Sequence, residues 1–388
     1  MTTLRDLLVV DVSDPRALTE PLRQALFHNG PAVLPRPGGA KLTGTAPLQV
    51  PPNVALVIET SGTTGAPKRV ALSAQAVLAS AEAALTELGG PGTWLLLLPA
   101  HYIAGVQVFT RALLGGSEPV ILHPEPFSTV AMASRFQELV DTAGDGPLYT
   151  SMVPAQLHRI LDDVPAMPVL DSLMKRFDRI VVGGQAIPAG LLERAHAAGY
   201  RVTRTYGSSE TAGGCVWDGR AIGAVNVAEI DGRLAISGPV LAHSYLDDPE
   251  RTARCFVEKG GKRWYLSDDA GEVTPEGVVS VHGRLDDVIV SGGVKVSLGR
   301  IERVIHADFN DPDAIVVGVE HDTWGHVPVV VSTKELDLHS LRLAIGVALG
   351  PEARPEKVLC IPSIPLLPSG KPDRLAIKNL VTGGSHGE

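Results

Sequence analysis

Between residues 54 and 206 the chain repeats one beat: a short apolar run, a polar or glycine-bearing turn, then an alanine- and leucine-rich stretch long enough for a helix. Residues 93–98, 120–122, 148–152, 179–182 and 201–206 read as buried strands, and 74–88, 105–114, 130–143, 154–164 and 188–198 as helices. Ser73 is placed to cap the first helix, and Gly115-Gly116 to stop the second. Strands joined through helices of this length run parallel, which makes an α/β core. Such sheets bind ligands beyond the carboxyl ends of their strands. Two polar turns fall there, Gly183-Gly184-Gln185 and Gly207-Ser208-Ser209-Glu210-Thr211.

On either side the texture differs. Residues 1–50 combine a helix-like stretch (15–27) with a Pro/Gly-rich segment (31–52) that reads as an edge or covering element. From about residue 220, short alternating strands such as 233–237, 263–266 and 278–281 imply a small β subdomain. After Gly283-Arg284-Leu285-Asp286-Asp287 come a strand, a helix (298–306), strands at 314–319 and 327–332, a helix (338–349), a strand (357–360) and a polar tail. The expected architecture is therefore α/β. A large N-terminal domain with α/β sheets and a small β subdomain spans 1–285, and a small α+β C-terminal domain spans 286–388.

At 388 residues the chain exceeds one ordinary core. A net charge of −9 argues against a broad nucleic-acid-binding surface. The longest apolar run, 94–99, is far short of a membrane span, and the N-terminus lacks a signal-peptide layout. Cys215, Cys255 and Cys360 are too scattered for a metal site or disulfide framework. A cytoplasmic globular protein is expected, with a homodimer left open.

One hairpin carries unusual chemistry. Apolar residues enter at 54–58 and leave at 70–72, and between them stand Thr60, Ser61, Gly62, Thr63, Thr64, Gly65 and Lys68. Glycines expose successive backbone N–H groups, hydroxyls add donors and the lysine adds a point charge, a combination suited to polyphosphate. Ala66-Pro67 before Lys68 rule out a Walker A loop. On these residues alone an ordinary hairpin turn stays open.

Four further signals follow in order: Tyr206-Gly207-Ser208-Ser209-Glu210-Thr211, Tyr265-Leu266-Ser267-Asp268-Asp269, Gly283-Arg284-Leu285-Asp286-Asp287 and Pro368-Ser369-Gly370-Lys371-Pro372-Asp373-Arg374. Together they resemble the adenylate-forming superfamily of acyl-CoA synthetases, adenylation domains and luciferases. The compact length, residues 98–107 and 182–188, and Val290-Ser291-Gly292-Gly293 are similar to the o-succinylbenzoate–CoA ligases of menaquinone biosynthesis.

The resemblance implies a reaction in which a carboxylate attacks the α-phosphorus of ATP, expels pyrophosphate and is then passed to coenzyme A. It assigns the β,γ-phosphates to Thr60, Ser61, Gly62, Thr63, Thr64, Gly65 and Lys68, and Mg²⁺ to Glu210. Gly183, Gly184 and Gln185 would line adenine, with Tyr206 stacking near it and Gly207 and Ser209 in the same turn. Asp269 would hold the ribose, although Asp268 could share that role, and Arg284 would support ribose or phosphate. Lys371 would stabilise the first transition state. Asp286 would be the hinge of a mobile C-terminal domain that brings Ser291-Gly292-Gly293 to a pantetheine tunnel.

Tyr102 falls at the gate of that tunnel, with His101 as the alternative. The acyl pocket would lie between the helix after Tyr102, the turn at Ser151, Gly183-Gly184 and Gly213-Gly214-Cys215, with Cys215 as a wall. Gln107, Arg111 and Ser151 are candidate donors to a second carboxylate. Another aryl- or short-chain acyl-CoA ligase, a carrier-loading enzyme and a regulator without turnover are the competing readings.

Overall fold

The computed structural model describes residues 4–38, 49–60, 68–122, 127–367 and 372–383. The expected parallel sheet forms its centre. Seven strands lie in the order Arg220–Ala221, Gly213–Trp217, Val202–Ser208, Arg179–Gly183, Leu148–Met152, Thr93–Leu96 and Val120–Ile121. The last five are mutually parallel, and the first two turn back antiparallel. Leu148–Met152 is buried at every position, as a strand covered on both faces must be. Leu157, Ile160, Leu173, Met174 and Phe177 pack with it in one core. A second core includes Val77 of helix Ala74–Leu88 and Val106 and Phe109 of helix Ile103–Leu114. Ser73 caps the first of these helices, accepting from the Ala76 N–H, and Gly115 ends the second.

A six-stranded sheet adjoins that second core, in the order Ser244–Tyr245, Lys68–Ser73, Val54–Thr60, Ala32–Arg36, Arg5–Asp11 and Gln49–Val50. The hairpin is present, with Val54–Thr60 antiparallel to Lys68–Ser73 and Thr60 opposite Lys68 as its last pair. The segment 31–52 is not merely an edge. Ala32–Arg36 is an interior strand, buried throughout and parallel to Arg5–Asp11. Its pairing with Val54–Thr60 is confined to Val33–Leu56, so the missing N–H of Pro35 interrupts no ladder on that side.

The β subdomain comprises a four-stranded antiparallel sheet and the hairpin Asp269–Val273/Val279–Arg284, with one helix, Pro249–Cys255, capped by Asp248. The helix expected over 130–143 breaks at Arg135 into Thr129–Ser134 and Phe136–Ala143. Helix Pro168–Arg176 was not anticipated. Its buried Leu170, Leu173 and Met174 follow the i, i+3, i+4 spacing that could have revealed it.

Beyond residue 287 a five-stranded sheet carries helices Leu298–Asp308 and Leu338–Leu349 around Ile301, Ile305, Leu341 and Ile345. Two features depart from expectation. Val288–Ser291 and Val294–Ser297 form a hairpin turned by Gly292 and Gly293, both at positive φ. The polar tail contains helix Arg374–Gly383, which buries Ile377 and Val381 against Ile315, Val317, Val329 and Val331. No helix among the described residues is long and apolar enough to cross a membrane.

Candidate active site

The hairpin root is a charged cluster. Glu59, one residue before Thr60, pairs across strands with Arg69, one residue after Lys68. Arg36 donates to both Glu59 carboxylate oxygens at 2.7 and 2.9 Å, and Arg69 Nε donates to one of them at 3.0 Å. All three side chains are largely buried, and Arg36 Nη1 has no hydrogen-bond partner among the described residues. Ser61, Gly62, Thr63, Thr64 and Gly65 lie outside the described residues, so the site is built from Thr60 and Lys68 onward.

From the strand that Lys68 begins, the contacts run in a chain. That strand pairs Val70 and Ala71 with Tyr245 and Ser244. The Tyr245 hydroxyl donates to Glu210 Oε1 at 2.7 Å. Glu210 sits in a one-turn helix, Ser209–Thr211, directly after strand Val202–Ser208. On that strand, Tyr206 donates its hydroxyl to Asp269 Oδ2 at 2.7 Å. Asp269 stands opposite Arg284 in the next hairpin. Arg284 then forks onto Asp286 with two bonds of 2.7 Å, where the chain of contacts ends.

Electrostatics follow from burial and these partners. Burial pushes Asp269 up, against the opposing Tyr206 bond and Arg284 charge. Burial would also raise Asp286, but the Arg284 fork, helped by Lys68, outweighs it and holds that carboxyl low. The same fork raises Arg284. Tyr206 is pushed well above the ordinary tyrosine value, first by burial and then by Asp269, so it remains a donor. Its hydroxyl therefore orients an acid, a contact that the expected stacking role did not include. Asp268 lies 3.5 Å from Arg284 and 4.0 Å from Arg233, at a more exposed position than Asp269.

Backbone packs so closely around several glycines here that a side chain would not fit. A Cβ on Gly207 would lie 2.1 Å from the Gly213 carbonyl oxygen, and one on Gly183 would lie 2.5 Å from Thr205. Gly184 occupies φ +84°, ending its strand in a conformation glycine favours. Gly214 packs on Thr205, where a Cβ would come within 1.9 Å of Oγ1. That close approach gives Gly214 a packing reason independent of any ligand. Gln107 is 1% exposed and its Nε2 donates to the carbonyls of Val77 and Ala212, leaving only Oε1 without a partner among the described residues. Ser151 is buried, and its hydroxyl has no partner among them either.

Arg111, one turn beyond Gln107, is 4% exposed. Its guanidinium lies 5.1 Å from the centre of the Trp94 ring and has no carboxylate partner among the described residues. Burial lowers its pKa to about 10, leaving it a cation at neutral pH. The His101 and Tyr102 rings touch at a tilt of 47°, centroids 4.1 Å apart, and burial lowers His101 to about 4, so the ring is neutral. Burial raises Cys215 to about 11, which suits a wall residue rather than a nucleophile.

Lys371 also lies outside the described residues, but both flanks are anchored. Leu366 bridges Pro372, and the Asp373 N–H donates to the Pro365 carbonyl. Arg374 donates to both oxygens of buried Glu302 at 2.8 and 2.9 Å and comes within 3.7 Å of Asp287. Sequence reasoning missed Tyr245, Trp94, the Arg36–Glu59–Arg69 cluster and the anchoring of Arg374. Only their spatial neighbours mark them.

A family profile described as AMP-binding enzyme matches residues 6–283. The chain belongs to the AMP-binding enzyme family. Among its relatives, a "Probable 2-succinylbenzoate–CoA ligase" of Mycobacterium tuberculosis strain H37Rv is 36% identical over 348 residues, covering 86% of each chain. The 2-succinylbenzoate–CoA ligase of Listeria monocytogenes serotype 4b is 28% identical, covering 84% of this chain and 69% of the relative. In fold, the chain is similar to a single-substitution variant of E. coli MenE with bound OSB-AMS, at TM-score 0.75 and 22% identity, covering 98% of this chain and 88% of that one. It is also similar to Bacillus subtilis o-succinylbenzoate CoA synthetase in complex with the acyl-adenylate OSB-AMP, at TM-score 0.71 and 23% identity, covering 96% and 78%. The five-signal motif order thus led to the right family, and these last two likenesses support the same fold.

Proposed function

We propose that this protein is an ATP-dependent 2-succinylbenzoate–CoA ligase, joining o-succinylbenzoate to coenzyme A through an acyl-adenylate. Arg111 carries the choice of acid. An arginine buried without an anion is an unmet charge, and the substrate's second carboxylate would meet it. The M. tuberculosis relative's name supports the same acid.

In the first half-reaction a carboxylate oxygen bonds to the α-phosphorus and pyrophosphate leaves. The carboxylate is already ionised at neutral pH and needs no general base. Thr60, Lys68 and the turn between them hold the leaving phosphates, while Asp269, oriented by Tyr206, accepts from the ribose hydroxyls. Lys371 places its charge between the acid and the α-phosphate. In the second half-reaction the thiol of coenzyme A bonds to the acyl carbon and AMP leaves, after the domain beyond Asp286 has turned and withdrawn Lys371.

Glu210 suits Mg²⁺. It is 7% exposed, has no cation within ion-pair distance among the described residues and engages only one oxygen with Tyr245. Among those residues no three His, Cys, Asp or Glu side chains gather as a metal site, so phosphates would supply further oxygens. When bound, the ion neutralises phosphate charge. The deciding experiment is pyrophosphate release with o-succinylbenzoate against benzoate and fatty acids. Release that does not favour o-succinylbenzoate overturns the assignment.

A further inference from the structure

Tyr245 lies outside every motif that marks the site, yet it touches the carboxylate proposed for magnesium. It is 4% exposed and is the one described side chain that donates to Glu210. The segment around it grips Glu210 twice, because the Ala242 N–H also donates to the Glu210 carbonyl at 2.8 Å. Strand Ser244–Tyr245 pairs in turn with Val70 and Ala71, just after Lys68. Metal-side acid and phosphate-side strand are therefore joined through two residues.

The tyrosine itself is held from several sides. Its N–H donates to Thr252 Oγ1 at 3.0 Å, and Thr252 belongs to helix Pro249–Cys255. Arg251 on the same helix places its guanidinium 5.6 Å from the ring centre, and Phe256 packs with ring centroids 5.8 Å apart. A phenol fixed this way has little freedom to follow Glu210. The carboxylate must instead settle on the phenol, which occupies Oε1 and leaves Oε2 without a hydrogen bond among the described residues.

We infer that Tyr245 is a positioning residue for Glu210, fixing the carboxylate beside strand Lys68–Ser73 in the orientation that would hold magnesium. This rests on the reading of Glu210 as the magnesium-holding acid. Partners that orient a metal-ligating group commonly change affinity by about 10- to 100-fold when removed. A purely packing role would need the ring alone and would be indifferent to the hydroxyl.

Tyr245→Phe separates the two roles, because it keeps the ring and deletes the donor. The full-length protein is titrated with ATP by calorimetry, once with Mg²⁺ and once with EDTA, alongside Glu210→Gln. For Tyr245→Phe the expected result is an unchanged Kd in EDTA and a Kd with Mg²⁺ weakened by about tenfold or more. The melting temperature and the KM for the acid stay near the parent values. An unchanged Mg²⁺ advantage in Tyr245→Phe, with Glu210→Gln losing it, overturns the positioning role. Equal weakening with and without Mg²⁺ also overturns it, because the tyrosine is then only structural. If Glu210→Gln itself keeps the full Mg²⁺ advantage, the underlying reading of Glu210 falls instead.

Discussion

Replacing Arg111 by methionine should strengthen the fold while weakening activity on o-succinylbenzoate. Burial lowers the guanidinium from the ordinary arginine value to about 10, which at about 1.4 kcal/mol per pH unit is a folding penalty of about 3 kcal/mol. The sign follows from the direction: a base depressed in the folded state carries this penalty in full below about pH 10 and loses it only as pH climbs toward the ordinary arginine value. Contact with the Trp94 ring returns up to about 2 kcal/mol, leaving a net cost of about 1 kcal/mol. Methionine, unbranched and adaptable, can fill much of the same volume without that cost. Arg111→Met should therefore raise the melting temperature. Losing the partner of a buried carboxylate costs about 2 kcal/mol or more, so kcat/KM for o-succinylbenzoate should fall by about 30-fold or more. The assay is pyrophosphate release with o-succinylbenzoate and benzoate on the same preparations, beside a thermal melt. Equal losses on both acids, or a lower melting temperature, would refute the reasoning.

Other expectations test separate parts. Lys371→Ala should abolish adenylate formation yet spare thioester formation from preformed adenylate, and Asp286→Pro should do the reverse. Single-turnover assays of the two half-reactions check both, and equal loss in the two would exclude the division. Asp269→Asn should raise the KM for ATP about tenfold, the scale of one charge-assisted hydrogen bond, with Asp268→Asn changing it far less. A larger effect at Asp268 would reassign the ribose acid. Because burial holds His101 near 4, the folded protein refuses a proton that the unfolded chain accepts near 6.5. Stability should thus fall as pH drops from 6.5 toward 4, and a His101→Gln melt series should lose that component. An unchanged series would show that His101 is not its source.

The α/β core was legible because parallel strands buried on both faces must be continuous apolar runs, as Leu148–Met152 is. Strand Ala32–Arg36 was obscured by Pro35, whose tolerance depends on where a neighbouring ladder stops. Helix Arg374–Gly383 buries only Ile377 and Val381, too few apolar positions to stand out in a polar tail. The motif order singled out Glu210, Asp269 and Arg284 as candidates. The contacts that join them carry no local signature: Tyr206 and Asp269 are 63 positions apart, and Tyr245 and Glu210 are 35 apart. Gln107 looks free for substrate on paper, but both hydrogen bonds from its amide nitrogen go to internal carbonyls.

The Arg36–Glu59–Arg69 cluster holds two positive charges against one negative, with exposed Asp247 approaching Arg69 to 3.7 Å from the solvent side. Dissolved ions screen charges in water far better than charges kept away from it. The buried pairing that ties the two strands of the hairpin together at Glu59 therefore loses little strength as salt rises. The root of the hairpin should keep its shape at ionic strengths where an exposed pair such as Arg16–Asp14 has lost its hold.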